Sequence, residues 1–357
     1  MKILFIGASW KGSSARSLLE GLESIPETFI DEVNEDHYKP LYKSLVLRLI
    51  NRLANFFQIK EFENDILLKI NELRPNVIII YKGNCIRSIF LQKIKSLGFF
   101  TVNIFPDQSP HIHGKNLKKT MGLYDLVITT KPFHPAGWKS IYGYSNVCIC
   151  VPHGYDPAVH YWPYAPDIQD LDVVLAASWR PEYHSLMLQF AEVIDDPSIK
   201  ISLSGPGWRE HQKDFPAEWK FDGSFYGRAY GTWLRRGKIV IAPVHTQVKI
   251  NDATQQGDVD TTRSYELAAA GCFFLHRRTP YIQTVYDENS EVPMWDNAQE
   301  LFSLIKKYLP MKSEREMMAR RAHERAVPAC STAARAVEVF KIIQDNINTV
   351  TISNTHE

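Results

Sequence analysis

The side chains with the most chemical capacity in this 357-residue chain sit in short segments that follow apolar runs. The richest segment is Asp258-Val259-Asp260-Thr261-Thr262-Arg263-Ser264-Tyr265-Glu266, which runs into Leu267-Ala268-Ala269-Ala270-Gly271. Thr261 or Thr262 can cap a helix here and Gly271 can end it. A helix start offers N–H groups to an anion, and Arg263 adds positive charge beside Thr262 and Tyr265. Glu266 falls about one turn in, where a carboxylate can accept hydrogen bonds from ribose hydroxyls, as acidic residues do in dinucleotide sites. Asp258 and Asp260 also spell Asp-x-Asp, a pattern that can hold a metal. Acids before a helix start serve the helix dipole, so no metal is expected.

Two further segments precede it. Ala177-Ser178-Trp179-Arg180-Pro181-Glu182 places Arg180 at a helix start, where its planar fork suits a diphosphate, and Trp179 can stack on a ring. Ser204-Gly205-Pro206-Gly207-Trp208 offers Gly205 and Gly207 for close approach of a backbone. In the N-terminal half, Gly7-Ala8-Ser9-Trp10-Lys11-Gly12 is a small-residue turn that could meet a phosphate, although it lacks the Gly-x-Gly-x-x-Gly dinucleotide fingerprint. Lys82 follows Val77–Tyr81. Asp107, His111 and His113 follow Phe99 to Phe105, and His153 lies in Val151-Pro152-His153-Gly154-Tyr155-Asp156-Pro157. Asp107, His111 and His153 are candidates to position an acceptor or to move a proton. A metal at His111 and His113 lacks a clear third ligand.

The elements that must carry these loops alternate between strands and helices. Strands are predicted at 2–6, 77–81, 99–105, 126–130 and 147–151, then at 172–177, 199–204, 238–242 and 272–276. Helices are predicted from Ser13 or Ser14, and over 182–194, 262–270, 298–308, 313–326 and 332–347. Continuous β-branched runs suit strands covered on both faces, hence parallel sheets in an α/β fold. The proline-bearing stretch with Pro152, Pro157, Pro163 and Pro166 reads as a boundary. The expected organisation is an N-terminal domain over 1–155, a linker over 156–170, a second α/β domain over 171–330 and a terminal helix over 331–350. Ligands of such sheets bind beyond the carboxyl ends of the strands.

Bulk properties exclude several classes. The formal charge of +1 does not favour a nucleic-acid partner. The five scattered cysteines make no disulfide framework and fit a reducing cytoplasm. The opening Met1–Gly7 reads as a strand rather than a signal peptide, and no run reaches the roughly 20 apolar residues of a membrane span. Residues 41–57 form an apolar face with Lys43, Arg48 and Arg52 among the polar positions. A packed amphipathic helix accounts for that pattern, and peripheral contact with the inner face of an anionic membrane is the alternative.

Taken together, Tyr81-Lys82-Gly83, Pro152-His153-Gly154-Tyr155-Asp156-Pro157, Ser178-Trp179-Arg180-Pro181-Glu182, Gly205-Pro206-Gly207-Trp208 and Thr262-Arg263-Ser264-Tyr265-Glu266 resemble the CgeB-like (spore maturation protein B-like) glycosyltransferases of the GT-B retaining group. Arg277-Arg278-Thr279 and the helix with Glu300-Leu301 extend the resemblance. It implies a GT-B fold, with two Rossmann-like domains facing a central cleft and a last helix returning to the first domain. It implies transfer of a sugar from a nucleotide-diphosphate-sugar donor to a hydroxyl of a glycan, lipid-linked or protein-linked acceptor, without a metal or cofactor. Many relatives carry two glutamates separated by seven residues, the second on ribose and the first on the donor sugar. That spacing here joins Asp258 to Glu266, so the sugar-side acid is one methylene shorter. Arg180 looks like the diphosphate arginine; its companion lysine has no obvious match, and Lys249 is a guess at it. The alternatives are a GT-B nucleotide-sugar epimerase, a non-catalytic nucleotide-sugar or glycan binding partner and, more remotely, a nicotinamide oxidoreductase.

Overall fold

The computed structural model describes all residues but 11, 39–44, 112–114, 161–167, 251–252 and 355–357, and no side chain of 45–56, 115, 248–250, 253 and 350–354. The apolar face of 41–57, except Phe57, together with His113 and the side chain of Lys249, therefore lies outside the described residues. Unit 1 comprises Met1–Pro152, Ile250–Asp252 and Ala333–Glu357; unit 2 comprises His153–Lys249 and Ala253–Thr332. The stretch after His153, expected to end the first domain and continue as a linker, is thus grouped with unit 2.

Unit 1 is built on six parallel strands: β1 (Lys2–Gly7), β2 (Phe29–Asn34), β3 (Val77–Tyr81), β4 (Phe100–Phe105), β5 (Leu126–Thr129) and β6 (Val147–Cys150). Their order in the sheet is β2-β1-β3-β4-β5-β6. Val77 to Ile80 are all buried, as a strand covered on both faces requires. Ser13 caps the helix Ser14–Glu23, its side chain accepting from the Ala15 N–H at 3.2 Å. The sequence reading omits β2, because Phe-Ile-Asp-Glu-Val-Asn at a sheet edge buries only Val33. One face of the core joins Ile3, Phe5, Leu18 and Leu19 to Ala336, Val339 and Ile343 of the terminal helix Thr332–Asn354.

Unit 2 contains β7 (Leu171–Ala176), β8 (Ile201–Ser204), β9 (Lys220–Asp222), β10 (Gly237–Ala242), β13 (Phe274–Arg277) and β14 (Met294–Trp295) in the order β14-β13-β10-β7-β8-β9. A separate two-stranded sheet pairs β11 (Gln247–Ile250) with β12 (Ala253–Gln256). The sequence reading finds neither this pair nor the short β9 and β14. One face of the large sheet packs on Met187 and Phe190 of the helix Pro181–Val193 and on Leu301, Phe302 and Ile305 of Ala298–Tyr308. The other packs on Trp233 and Leu234 of Arg228–Arg235, Leu267 and Ala268 of Arg263–Ala269, and Ala322 and Ala326 of Lys312–Ala329. In both sheets the chain reverses its direction of growth beside the first strand, between β1 and β3 and between β7 and β10. Such switch points open a crevice at the carboxyl ends of the strands. All five cysteines are free thiols. Among the described residues no helix is long and apolar enough to cross a membrane.

One titratable group is sealed inside unit 1. His134 has no exposed surface; its Nε2 donates to the Gln108 carbonyl at 2.8 Å and its Nδ1 lies 2.6 Å from Thr129 Oγ1. The Lys131 N–H already donates to that hydroxyl oxygen, which leaves the hydroxyl proton for Nδ1. Burial lowers the pKa of His134 to about 4 from the ordinary 6.5. Between those values the unfolded chain binds a proton that the folded chain excludes, so stability is complete above pH 6.5 and falls as the pH drops towards 4. The loss at the lower end is on the order of 3 kcal/mol. Urea unfolding at pH 7 and pH 4.5 should show it, and His134→Gln should reduce that difference by the His134 share, the equally buried His276 keeping its own, although the variant is less stable at both values.

Candidate functional site

The helix Arg263–Ala269 presents two of the sequence-selected residues at the strand ends of unit 2. It has only seven residues, too short to persist without support. Neither threonine provides the cap: Thr262 occupies the capping position with helical backbone angles and no side-chain cap bond. Support comes from Ser264, which is fully buried. Its Oγ accepts from the Thr261 N–H at 3.0 Å and donates to His276 Nε2 at 2.8 Å, while its carbonyl accepts from Tyr286 Oη at 2.8 Å. His276 Nδ1 donates to the Arg277 carbonyl at 2.7 Å, which fixes the tautomer. Burial lowers the pKa of His276 to about 4, with Arg263 acting in the same direction.

Tyr265 leaves the candidate set. It is fully buried, and its hydroxyl donates to Asp260 Oδ2 at 2.8 Å. Asp260, equally buried, accepts that bond through one of its two carboxylate oxygens. Asp258 is half-buried, its N–H donating to the His245 carbonyl at 2.7 Å.

Arg263 is half-buried beneath the crevice between β7 and β10. Its Nη2 donates to the carbonyl of Pro243, the residue that follows β10, at 3.3 Å, and its guanidinium lies 6.0 Å from the Tyr183 ring centroid. Its Nε is buried without a hydrogen-bond partner among the described residues. Burial opposes the charge on Arg263, but Tyr183, Tyr230 and Glu266 outweigh it and hold the pKa above its ordinary value. Glu266, one turn on, accepts from Tyr230 Oη at 3.3 Å through Oε2, and its Oε1 lies 3.8 Å from His160 Nε2. Burial and the Glu266 charge raise the pKa of Tyr230 well above its ordinary value, so it stays a neutral donor. Tyr183, His160 and Tyr230 escaped the sequence reading: one lies inside a helix, one in the presumed linker and one on a helix not predicted at all.

Arg180 begins the helix Pro181–Val193 after β7, across the switch point from Pro243. Its side chain is exposed and has no ion-pair or hydrogen-bond partner among the described residues. Its loop is fixed by contacts that account for both candidate glycines. Gly205 (φ +132°) would bring a Cβ to 2.1 Å from the Ala177 carbonyl oxygen, and Gly207 (φ +89°) to 2.8 Å from Trp179 Cβ. The Trp179 N–H donates to the Pro206 carbonyl at 2.8 Å and Trp208 Nε1 to the Ala177 carbonyl at 2.7 Å. Both glycines therefore permit close approach of their own chain at Ala177 and Trp179. One face of Trp179 is covered by His211, stacked at 4.3 Å and 3°. His184, His211 and Asp214 stand close enough to suit a cation. However, Trp179 Nε1 donates to His184 Nδ1 at 2.8 Å, which leaves the proton of a neutral His184 on Nε2, the atom 3.4 Å from Asp214. That atom is then a donor rather than a ligand.

A cavity of about 520 Å³ opens beside these residues, lined among others by Pro181, Tyr183, Pro243, Val244, Arg277 and Trp295. It thus lies at the carboxyl ends of β10, β13 and β14 and falls within the size range of small-molecule sites. Next to it Arg278 pairs with Glu288 at 2.6 Å, with Glu300 at 2.8 Å and with Asp296, tying β13 and β14 to the helix Ala298–Tyr308. Glu288 first and then Glu300 raise its pKa, so Arg278 is a permanent structural cation.

In unit 1 the strand ends bring together Lys82 and Asp107, with Nζ 3.1 Å from Oδ2. Lys82 is non-glycine backbone in the left-handed region, at φ +61°, and Asn103 Nδ2 donates to its carbonyl at 3.1 Å. Strain of this kind gathers at functional sites. His111 stands apart against Tyr142 and Tyr144, its pKa lowered by burial and then by Lys118. At the turn after Gly7 the N–H groups of Ser9 and Trp10 are already engaged. Asp36 Oδ2 accepts from the N–H groups of Ser9 and Trp10 at 2.8 and 3.2 Å, and Glu32 accepts from Ser9 Oγ at 3.2 Å. His153 is half-buried and grouped with unit 2.

Residues 180–341 match a family model described as glycosyl transferase-like. No protein of curated function matches the chain. Among solved structures, the chain is similar to the sucrose-phosphate synthase of Thermosynechococcus elongatus, at 12% identity over 98% of this chain and 100% of that one, with a TM-score of 0.69. It is also similar to Anabaena Alr3699/HepE in complex with UDP, at 14% identity over 97% and 100% of the two chains, with a TM-score of 0.65. That protein has been solved with UDP-glucose as well. A third is a putative UDP-N-acetylglucosamine 2-epimerase from Listeria monocytogenes, at 12% identity over 98% and 97%, with a TM-score of 0.57. At these identities the likeness shows the fold: two Rossmann-like units of the GT-B type.

Ser264→Ala should strip buried donors and acceptors at Thr261 and His276 of their partner and cost about 1–3 kcal/mol. Urea unfolding checks this against Ser303→Ala, whose hydroxyl bonds only the Gln299 carbonyl on an exposed helix face and should be near neutral.

Proposed function

We propose that the chain is a glycosyltransferase that moves a sugar from a nucleotide-diphosphate-sugar to an acceptor hydroxyl, with the donor held at the strand ends of unit 2. The observation that carries this reading is the grouping there of Arg263 and Glu266 on successive turns of one helix, beside a nucleotide-sized cavity and across the switch point from the unpaired Arg180. The glycosyl transferase-like match spans all of these residues. The complexes of Anabaena Alr3699/HepE with UDP and UDP-glucose support the donor class.

In this reading the base enters the cavity against Tyr183 and Val244, Glu266 accepts from ribose hydroxyls, and Arg180 and Arg263 meet the diphosphate. The sugar C1–O bond to the diphosphate breaks, and the electron pair leaves on the phosphate oxygen. The two guanidiniums stabilise that growing charge, which is electrostatic catalysis by pre-placed donors. The acceptor oxygen bonds to C1, and its proton passes to the departing phosphate oxygen. Such a reaction retains configuration and needs neither a metal nor a dedicated base. Asp258 serves the donor sugar. Asp107, with Lys82, and His111 and His153 orient the acceptor. The acceptor is a carbohydrate or a lipid- or protein-linked hydroxyl, and the protein works in the cytoplasm or at the inner face of a membrane.

The structural neighbours also favour one second reading, epimerisation of the nucleotide-sugar itself. Product analysis with and without acceptor separates the two: transfer releases free nucleotide only as a glycosylated acceptor forms, whereas an epimerase rearranges the donor alone. Arg180→Ala should lower kcat/KM by roughly 10²–10³-fold, mostly through kcat. Glu266→Ala should weaken donor binding about 10–100-fold. Turnover of both variants at the wild-type level would remove these residues from the site.

A further inference from the structure

His160 takes no part in the chemistry above, yet it is only 6% exposed and faces Glu266. A turn places it. Asp156 Oδ1 accepts from the Ala158 N–H at 2.8 Å, and the Asp156 carbonyl accepts from the N–H groups of Val159 and His160 at 3.1 and 2.8 Å. The ring meets Tyr230 edge-on, with centroids 5.7 Å apart. Its Nδ1 lies 3.2 Å from the Asp156 carbonyl oxygen, which can only accept, so Nδ1 carries the proton. In the neutral ring Nε2 therefore presents a lone pair. That atom is buried without a hydrogen-bond partner among the described residues and lies 3.8 Å from Glu266 Oε1, too far for a hydrogen bond. The Tyr230 hydroxyl does not fill the gap, because it is directed at the other carboxylate oxygen.

With His160 neutral, two acceptors face one another and no donor stands between them among the described residues, an arrangement that leaves buried polar capacity unmet. A ligand that brings two adjacent hydroxyls satisfies both. In the nucleotide part of a nucleotide-sugar, the one such group is the 2′,3′-diol of ribose. We propose that His160 Nε2 and the Glu266 carboxylate together accept from this diol, and that His160 makes the chain select ribonucleotides over 2′-deoxyribonucleotides. The assignment rests on the donor reading of unit 2 and specifies the nucleotide it takes.

The test is calorimetric titration of the intact protein with UDP, GDP and ADP and with their 2′-deoxy counterparts. The unaltered protein should bind the ribo form of its preferred nucleotide at least about tenfold more tightly than the deoxy form, since a buried acceptor loses its donor. His160→Ala should shrink that ratio to less than about threefold, and His160→Gln, whose amide oxygen is again an acceptor, should restore part of it. Equal affinity of the unaltered protein for ribo and deoxy forms overturns the inference and leaves the donor site standing. A ratio unchanged in His160→Ala overturns the assignment to His160. A variant that merely melts earlier with its ratio intact marks His160 as a structural partner of Glu266, and overturns the inference too. Binding of no nucleotide to the unaltered protein overturns the donor reading itself.

Discussion

A seven-residue helix carries Arg263 and Glu266, on which the proposed donor site depends, and the buried Ser264 hydroxyl holds it in place. That hydroxyl takes the Thr261 N–H and gives its proton to His276, so the loop before the helix, the helix and β13 share one oxygen. The Ser264 hydroxyl and both ring nitrogens of His276 are paired, the condition under which buried polar groups rigidify rather than weaken a core. Tyr286 and the Tyr265–Asp260 pair complete it from two further directions. Arg263 and Glu266 then project from a fixed base. Pre-placement of this kind allows a guanidinium to stabilise a leaving group without reorganising during the reaction.

The same economy recurs at Arg180. The loop that presents it is pinned by the Trp179 N–H, by Trp208 and by two glycines whose missing Cβ atoms let backbones meet. Arg180 itself remains exposed and unpaired among the described residues, whereas Arg278 nearby is enclosed by three carboxylates. Two arginines on one unit therefore differ, one binding the fold together and the other exposed, where the proposed function has it meet an anion. Charge alone does not separate them; partners do.

Much of the architecture was legible in the sequence, because fully buried parallel strands such as Val77–Tyr81 and Gly237–Ala242 announce themselves as unbroken β-branched runs. The edge strand Phe29–Asn34 did not, since its acids face outward and hide the period. Arg180, Arg263 and Glu266 were singled out from residue type and position after a strand or at a helix start. Gly205 and Gly207 were marked for close backbone approach, and the folded chain adds that Ala177 and Trp179 already lie against them. Tyr265 was drawn in by its neighbours, although helical periodicity turns it inward while Arg263 and Glu266 face the site. His160 and Tyr230 carried no local signal: their meaning comes from meeting Glu266, far along the chain.

The central claim is that the strand ends of unit 2 hold a nucleoside diphosphate. A thermal-shift screen of the intact protein against UDP, GDP, dTDP, CMP and ADP tests it most directly, because a ligand that binds only the folded state raises its apparent stability. The account predicts that at least one diphosphate raises the melting temperature of the wild type in a dose-dependent way, and that Arg180→Ala and Glu266→Ala diminish the shift. No shift with any of the five nucleotides, or a shift that both variants retain in full, would contradict it.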